Sequence, residues 1–202
     1  QPEEAEGRLA SVGKPVRGND YILLDDNDRE VPWGGAGEIC ARSVHWMIGY
    51  HNRPDATREA MFIDSRGIQW MRSGDIGRTD EDGYLYIIDR KKDMVLSGGQ
   101  NIYPADIEAV MVEHPLVGEV AVIGVPDERW GESPVAIVVL RAPGAGGEVA
   151  GEIRDWTNQR VGKRQRIREV HIVATLPRNP NGKVLKRELR KAWVARAGAA
   201  SP

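Results

Sequence analysis

Four short stretches of this 202-residue chain combine residue types that could do chemistry. In MRSGDIG (71–77), Asp75 follows a glycine, where a carboxylate can accept hydrogen bonds from vicinal hydroxyls such as those of a ribose. The structural alternative is an aspartate satisfying the amides of its own turn. DRKKDMVLSGGQNIYP (89–104) joins a basic cluster to Gly98 and Gly99. Paired glycines let a ligand approach the backbone closely, or simply form a tight turn. PDERWGE (126–132) offers Trp130 for stacking on a flat base, or as part of a core or its rim. PRNPNGK (177–183) ends in Lys183, at the tip of a loop built from proline, asparagine and glycine. Its ammonium is a mobile point charge that can meet a phosphate or carboxylate, or be only solvated.

The elements that must position these residues fall into two textures. YILLDDNDREVPWGGAGEICARS reads as strand, Asp/Asn turn, glycine-rich turn and strand. RPDATREAM (53–61) offers one short helix, and GYLYIID (83–89) follows the turn DEDG as a strand. After Arg90 the pattern changes. YPADIEAVMVEHP predicts a helix with Pro104 in its first turn, Ile107, Val110 and Met111 on one face, and a stop at Pro115. VGEVAVIGV, PVAIVVLR and EVHIVATL read as strands, residues 148–162 as a helix, and the last helix begins near Val184 with Leu185, Leu189 and Trp193 in its apolar stripe. APGAGG reads as a flexible connector and ARAGAASP as a frayed end. The expected class is α+β: a β-dominated segment, residues 1–90, then an α+β module, residues 91–202.

Composition narrows the functional classes. The longest apolar run, VAIVVL (135–140), is too short to cross a bilayer as a helix. The opening residues lack the basic and apolar regions of a signal peptide. A single cysteine, Cys40, excludes an internal disulfide and points to a reducing compartment, hence a cytoplasmic protein. Net charge is −2, but residues 160–196 hold twelve Lys or Arg against two Glu. Such a tail suits phosphates on a small molecule, a nucleic acid, or a solvated face. The basic positions are interleaved with apolar helix positions and no nucleic-acid motif accompanies them, so no nucleic-acid partner is expected.

Taken together and in this order, the four stretches resemble the C-terminal part of the adenylate-forming enzymes: acyl- and aryl-CoA ligases, luciferases and peptide-synthetase adenylation domains. GRLASVGKP (7–15) and GEICARSVHWMIGYHNRPDAT (37–57) are similar to further segments of that family, so the resemblance runs from Gly7 to about Ala192. It implies a distorted barrel-like last piece of a large AMP-binding domain, then a small mobile C-terminal domain whose central sheet is flanked by helices. It also implies activation of a carboxylic acid with ATP and Mg²⁺ to an acyl-adenylate, and transfer of the acyl group to CoA.

Roles follow position by position. Asp75 matches the aspartate that holds the ATP ribose hydroxyls, and Arg90 an arginine supporting the same nucleotide region. Lys92 falls on the pivot between the two half-reactions. Gly98 and Gly99 border the path of the pantetheine arm, and Trp130 matches a tryptophan that lies against CoA in some aryl-CoA ligases. Lys183 matches the lysine bridging the substrate carboxylate and the nucleotide. Arg166 and Arg168 are placed to meet CoA phosphates, although the family often has an aromatic residue and a proline where this chain has Arg164 and Ile167. The family's Ser/Thr/Gly-rich phosphate loop does not occur in these residues, so a C-terminal fragment of a larger enzyme is expected, inactive alone, with Mg²⁺ held mainly by the remainder. Alternatives are an adenylation enzyme that loads a carrier protein, and a non-catalytic basic module.

Overall fold

A computed structural model describes residues 8–142 and 148–199. They form two compact units, divided between Lys92 and Asp93.

The first unit is an antiparallel sheet with one short helix. Its elements are β1 (Asn19–Leu24), β2 (Ala36–Ser43), α1 (Pro54–Glu59), β3 (Met61–Ile63), β4 (Gln69–Thr79) and β5 (Leu85–Arg90). Strand order is β1-β2-β4-β3, and β5 also pairs with β4. The distorted barrel expected from the resemblance takes the form of this five-stranded sheet, with register shifts between Glu38 and Cys40 and between Ile76 and Gly77. Ile22, Leu24, Cys40 and Trp70 form its core, with Phe62 and Ile68 against them. Burial, followed by the nearby Glu38 charge, pushes the Cys40 thiol up to about 11, so it packs as a small apolar group.

The second unit is α+β. It contains β6 (Val95–Ser97), β7 (Gln100–Ile102), α2 (Pro104–Met111), β8 (Val117–Asp127), β9 (Gly131–Leu140), α3 (Glu148–Asn158), β10 (Glu169–Ile172) and α4 (Lys186–Ala199). The sheet runs β10-β9-β6-β7, with β8 antiparallel along β9 and β10 parallel to it. Because side chains alternate across a strand, β8 and β9 feed two cores. Val122, Ala136 and Val138 pack with Ile107, Met111 and Ile153 of α2 and α3. Ala121, Ile123, Val125, Val135 and Ile137 pack with Leu176, Leu189 and Trp193 on the α4 side.

Several boundaries differ from expectation. Helix α1 spans Pro54–Glu59, β5 starts at Leu85, and α3 ends at Asn158, short of residue 162, where the Asn158 side chain bonds the Ile167 backbone. The third strand stops at Ile172, after which the chain leaves the sheet so that Leu176 can enter the second cluster. Helix α4 starts at Lys186, because Val184 bridges Arg178 and the Leu185 amide donates to the Pro177 carbonyl at 2.8 Å. Leu185 is therefore exposed, and Val184 joins the apolar cluster in its place. Residues 143–147 of the APGAGG connector and residues 200–202 of ARAGAASP lie outside the described residues; 195–199 are helical.

Candidate functional site

In the first unit, Asp75 sits in a bulge of β4. Strand β4 pairs with β3 through Gln69–Met71 and with β5 from Asp75 onward, while β2 skips from Arg72 to Ile76. The intervening segment turns on Gly74, whose φ of 72° is a left-handed conformation that favours glycine. Bulges of this kind re-aim side chains. The Asp75 carboxylate meets Arg90 Nε at 2.6 Å, its cross-strand partner, and the Asp75 amide donates to Ser73 Oγ at 3.0 Å.

Other aspartates do the work of stabilising turns. Asp80 accepts from the Asp82 and Tyr84 amides at 3.1 and 2.9 Å, and Asp64 from Arg66 and Ile68 at 2.9 and 2.8 Å. Burial pushes the Asp64 carboxyl upward, but hydrogen bonds from the Ile68 amide, Arg66 and Trp70 outweigh it and hold it below the usual range. Asp75 thus differs in setting from the turn-forming aspartates that its motif suggested as the alternative.

Sequence reasoning missed the carboxylate next to this strand. Glu38 is only 4% exposed, and accepts from Arg72 Nη1 at 2.8 Å and Lys91 Nζ at 2.9 Å. Its signal in the sequence is the GE pair at 37–38, a carboxylate at the start of a largely apolar strand. Lys92 follows directly, within a 3-10 turn spanning Lys91–Asp93.

In the second unit, Gly98 and Gly99 form the two-residue turn of the β6–β7 hairpin, with φ of 56° and 76°. Positive φ at both positions fits the turn that matches hairpin twist. Gly98 is doubly constrained: a Cβ there would lie 2.9 Å from the Trp130 ring, and its amide donates to the Trp130 carbonyl at 2.8 Å. Glu132 fastens this hairpin by accepting from the Leu96 amide at 3.0 Å.

Gly98, Trp130, Arg166 and Arg168 line one groove of about 570 Å³. Gly99 lies beside it in the turn. Lys163 and Arg164, which sequence reasoning did not select, also line the groove. Asp127 organises one wall, accepting from Ser133 Oγ at 2.6 Å and from the Trp130 and Arg129 amides at 3.0 Å, and these bonds hold its carboxyl below the usual range. Ile167 explains how the arginines are presented. Its side chain is buried, and Asn158 clasps its amide at 2.8 Å and its carbonyl at 3.0 Å. A proline could not donate that amide. Anchored there, the chain leaves Arg166 and Arg168 exposed.

Lys183 closes a compact hairpin turn. The Gly182 amide donates to the Asn179 carbonyl at 2.9 Å, and Gly182 has φ of 79°. The Asn179 amide donates to the Lys183 carbonyl at 2.9 Å, and the Lys183 amide donates to Asn179 Oδ1 at 2.8 Å. Arg178 donates to the Gly182 carbonyl at 2.5 Å and pairs with Glu119. The backbone is therefore held while the side chain is exposed, and no described residue is seen to pair with its ammonium.

Among the described residues no cluster of three or more His, Cys, Asp or Glu groups offers a metal site, and no helix is long and apolar enough to cross a membrane. What the geometry offers is a carboxylate–guanidinium pair in one unit, and an exposed ammonium and a basic, tryptophan-lined groove in the other.

Cations beside a flat aromatic surface, as in that groove, suit phosphorylated small molecules. Residues 106–183 match the AMP-binding enzyme C-terminal domain, a range that closes on Lys183. In sequence and in fold the chain is similar to the C-terminal part of the adenylate-forming enzymes. It is 40% identical over 200 residues to the medium/long-chain-fatty-acid–CoA ligase FadD8 of Mycobacterium tuberculosis, covering 96% of this chain and 34% of that protein. Identity is also 40% over 190 residues to the 2-succinylbenzoate–CoA ligase of Geobacillus kaustophilus, covering 94% and 37%. The solved o-succinylbenzoate CoA synthetase of Bacillus subtilis, in complex with its acyl-adenylate intermediate, matches with a TM-score of 0.79 and 34% identity, covering 94% of this chain and 37% of that one. The chain spans about a third of the length of the curated relatives it matches.

Proposed function

We propose that this chain is the C-terminal part of an ATP-dependent carboxylic acid:CoA ligase. The acid and ATP give an acyl-adenylate and pyrophosphate; CoA then takes the acyl group and AMP leaves. Residues 1–90 are the last piece of the large nucleotide-binding domain, and residues 91–202 the domain that turns between the steps.

The observation that carries this reading is the gathering of Gly98, Trp130, Arg166 and Arg168 in one groove on the unit that also presents Lys183. A thiol cofactor with a long arm and a phosphorylated nucleotide needs a narrow approach past small residues, a flat apolar surface and several cations. Gly98 and Gly99 leave room for the arm, Trp130 takes the base, and Arg166 and Arg168 meet the phosphates. Arg168 is partly engaged already, 3.6 Å from Asp127, so Arg166 carries more of that attraction.

Lys183 acts in the first step. Attack of a carboxylate on the α-phosphate brings anions together, and a preorganised cation lowers the repulsion and stabilises the charge that develops. Asp75 accepts from the ribose hydroxyls, and Arg90 holds that carboxylate in place. Lys92 is the pivot that exchanges Lys183 for the Gly98–Gly99 face. The remainder of such an enzyme supplies the phosphate loop, the acyl pocket and the Mg²⁺ ligands, and the setting is the cytoplasm.

The test is CoA-dependent AMP release across a panel of carboxylic acids by the enzyme containing this chain. Release with at least one acid supports the proposal. Release only with a phosphopantetheinylated carrier protein assigns the carrier-loading alternative. Retention on DNA with steep salt dependence, and no AMP release with either thiol, supports a basic binding module instead.

A further inference from the structure

Two anchors flank the unit boundary, each inside its own unit. On the first side, Lys91 Nζ lies 2.9 Å from the buried Glu38 carboxylate. Glu38 is also held by Arg72 at 2.8 Å, and Arg72 reaches Asp28 at 2.7 Å. On the second side, Arg190 Nη2 donates to the Asp93 carbonyl at 3.0 Å, and Nη1 lies 3.4 Å from Asp93 Oδ1. Helix α4, which carries Arg190, is fixed by Leu189 and Trp193 in the core. It is also fixed by Lys186, 2.7 Å from a Glu108 oxygen that accepts from the Val122 amide at 2.7 Å.

We propose that Glu38 and Arg190 are positioning residues. They clamp Lys91 to the first unit and Asp93 to the second, so that any swivel is confined to the backbone torsions around Lys92. The proposal rests on the reading of Lys92 as a pivot.

The physical content lies in what each anchor transmits. A buried carboxylate shared by two cations is a stiff attachment, because losing either partner leaves charge uncompensated in a poorly hydrated place. The Arg190 contact reaches the Asp93 main chain as well as its side chain, so it fixes the backbone itself. Lys186 and Arg190 are four residues apart and neighbours on one helix face. The Lys183 turn runs directly into that helix. A rotation about Lys92 is therefore passed to Asp93, through Arg190 to α4, and to Lys183 as a single body. A slack attachment at either anchor would blur where the ammonium arrives, and a misplacement near 1 Å can cost about 10²-fold in rate.

The test uses backbone ¹⁵N relaxation dispersion on the 202-residue chain, which reads the μs–ms timescale of hinge motion and needs no reaction. In the unaltered chain we expect exchange broadening at Lys92 and none at Arg90, Lys91, Asp93 or Met94. Glu38→Gln should extend the broadening back to Arg90 and Lys91, and Arg190→Gln should extend it forward to Asp93 and Met94. Should Glu38→Gln unfold the first unit, Lys91→Gln removes the same anchor from the exposed end. Arg42→Gln, which breaks an exposed pair with Asp20, should leave the profile unchanged. A boundary without exchange, exchange already spanning 89–95, or a profile that neither variant widens would overturn the proposal. A profile of the expected shape in an enzyme without ligase activity retires the functional reading and leaves the anchors standing; the reverse retires the anchors alone.

Discussion

Asp75 and Lys183 carry opposite charges and stand in opposite circumstances. Asp75 lies in a strand bulge with its counter-charge, Arg90, provided by the neighbouring strand at 2.6 Å. Lys183 lies on a hairpin turn whose backbone is hydrogen-bonded throughout, yet no described residue is seen to pair with its ammonium. A group with its partner supplied by the fold is suited to holding a ligand throughout a reaction. A group whose partner must come from elsewhere is suited to acting in one arrangement and withdrawing in another. The turn is tied by its own hydrogen bonds, so under the proposed function the lysine would be withdrawn by movement of its unit and not by flexing of the loop.

The largest effect should come from breaking this contrast at the lysine. Lys183→Ala should lower adenylation, read as acid-dependent pyrophosphate exchange, by about 10²–10³-fold, the usual loss of about 3–4 kcal/mol for one preorganised donor. Thermal unfolding of the chain should be unmoved, because the ammonium is exposed. Asp75→Asn should act mainly on binding, weakening nucleotide affinity by about 10- to 100-fold, the scale of a hydrogen bond to a charged group. Its ion pair is partly exposed, so stability should change by about 1 kcal/mol or less.

Gly98→Ala probes the groove. Left-handed backbone costs about 1–2 kcal/mol for an L side chain, and the added Cβ would press on Trp130. Thermal unfolding should show the loss, and Trp130→Ala in the same chain should recover only the part due to the ring.

The smallest effect separates the units by pH. Burial, then the Arg196 charge, lowers the pKa of His171 in the second unit from its ordinary 6.5. The folded form takes up its proton less readily than the unfolded chain, so that unit should lose stability as pH falls below about 6.5. His171→Gln should flatten that slope. Asp64 in the first unit is held below its ordinary 3.8, so its contribution should persist until pH falls below about 4. Amide exchange followed in each unit from pH 8 to 3 measures both.

Much of this was legible in the sequence because local rules fix it. Val/Ile-rich runs gave β8 and β9, Pro104 marked the start of α2, and the Gly98–Gly99 pair fitted a tight hairpin turn. Ion pairs across long separations were not legible. Glu38 meets Lys91 fifty-three residues later, and Asp93 meets Arg190 ninety-seven later. No local pattern encodes such partners. The groove arginines were visible as charge, but their presentation depends on Ile167 being buried and clasped by Asn158. The start of α4 was misplaced because Val184 and Leu185 have helical spacing, while the hairpin stem claims their backbone bonds first.

One measurement tests the central claim most directly: single-turnover rates of both half-reactions in Lys183→Ala and Lys92→Pro variants of the enzyme containing this chain. Lys183→Ala should lose adenylate formation and keep thioester formation from a supplied acyl-adenylate, while Lys92→Pro should keep the first and lose the second. Equal loss of both steps in both variants would contradict an ammonium that serves one step and then withdraws.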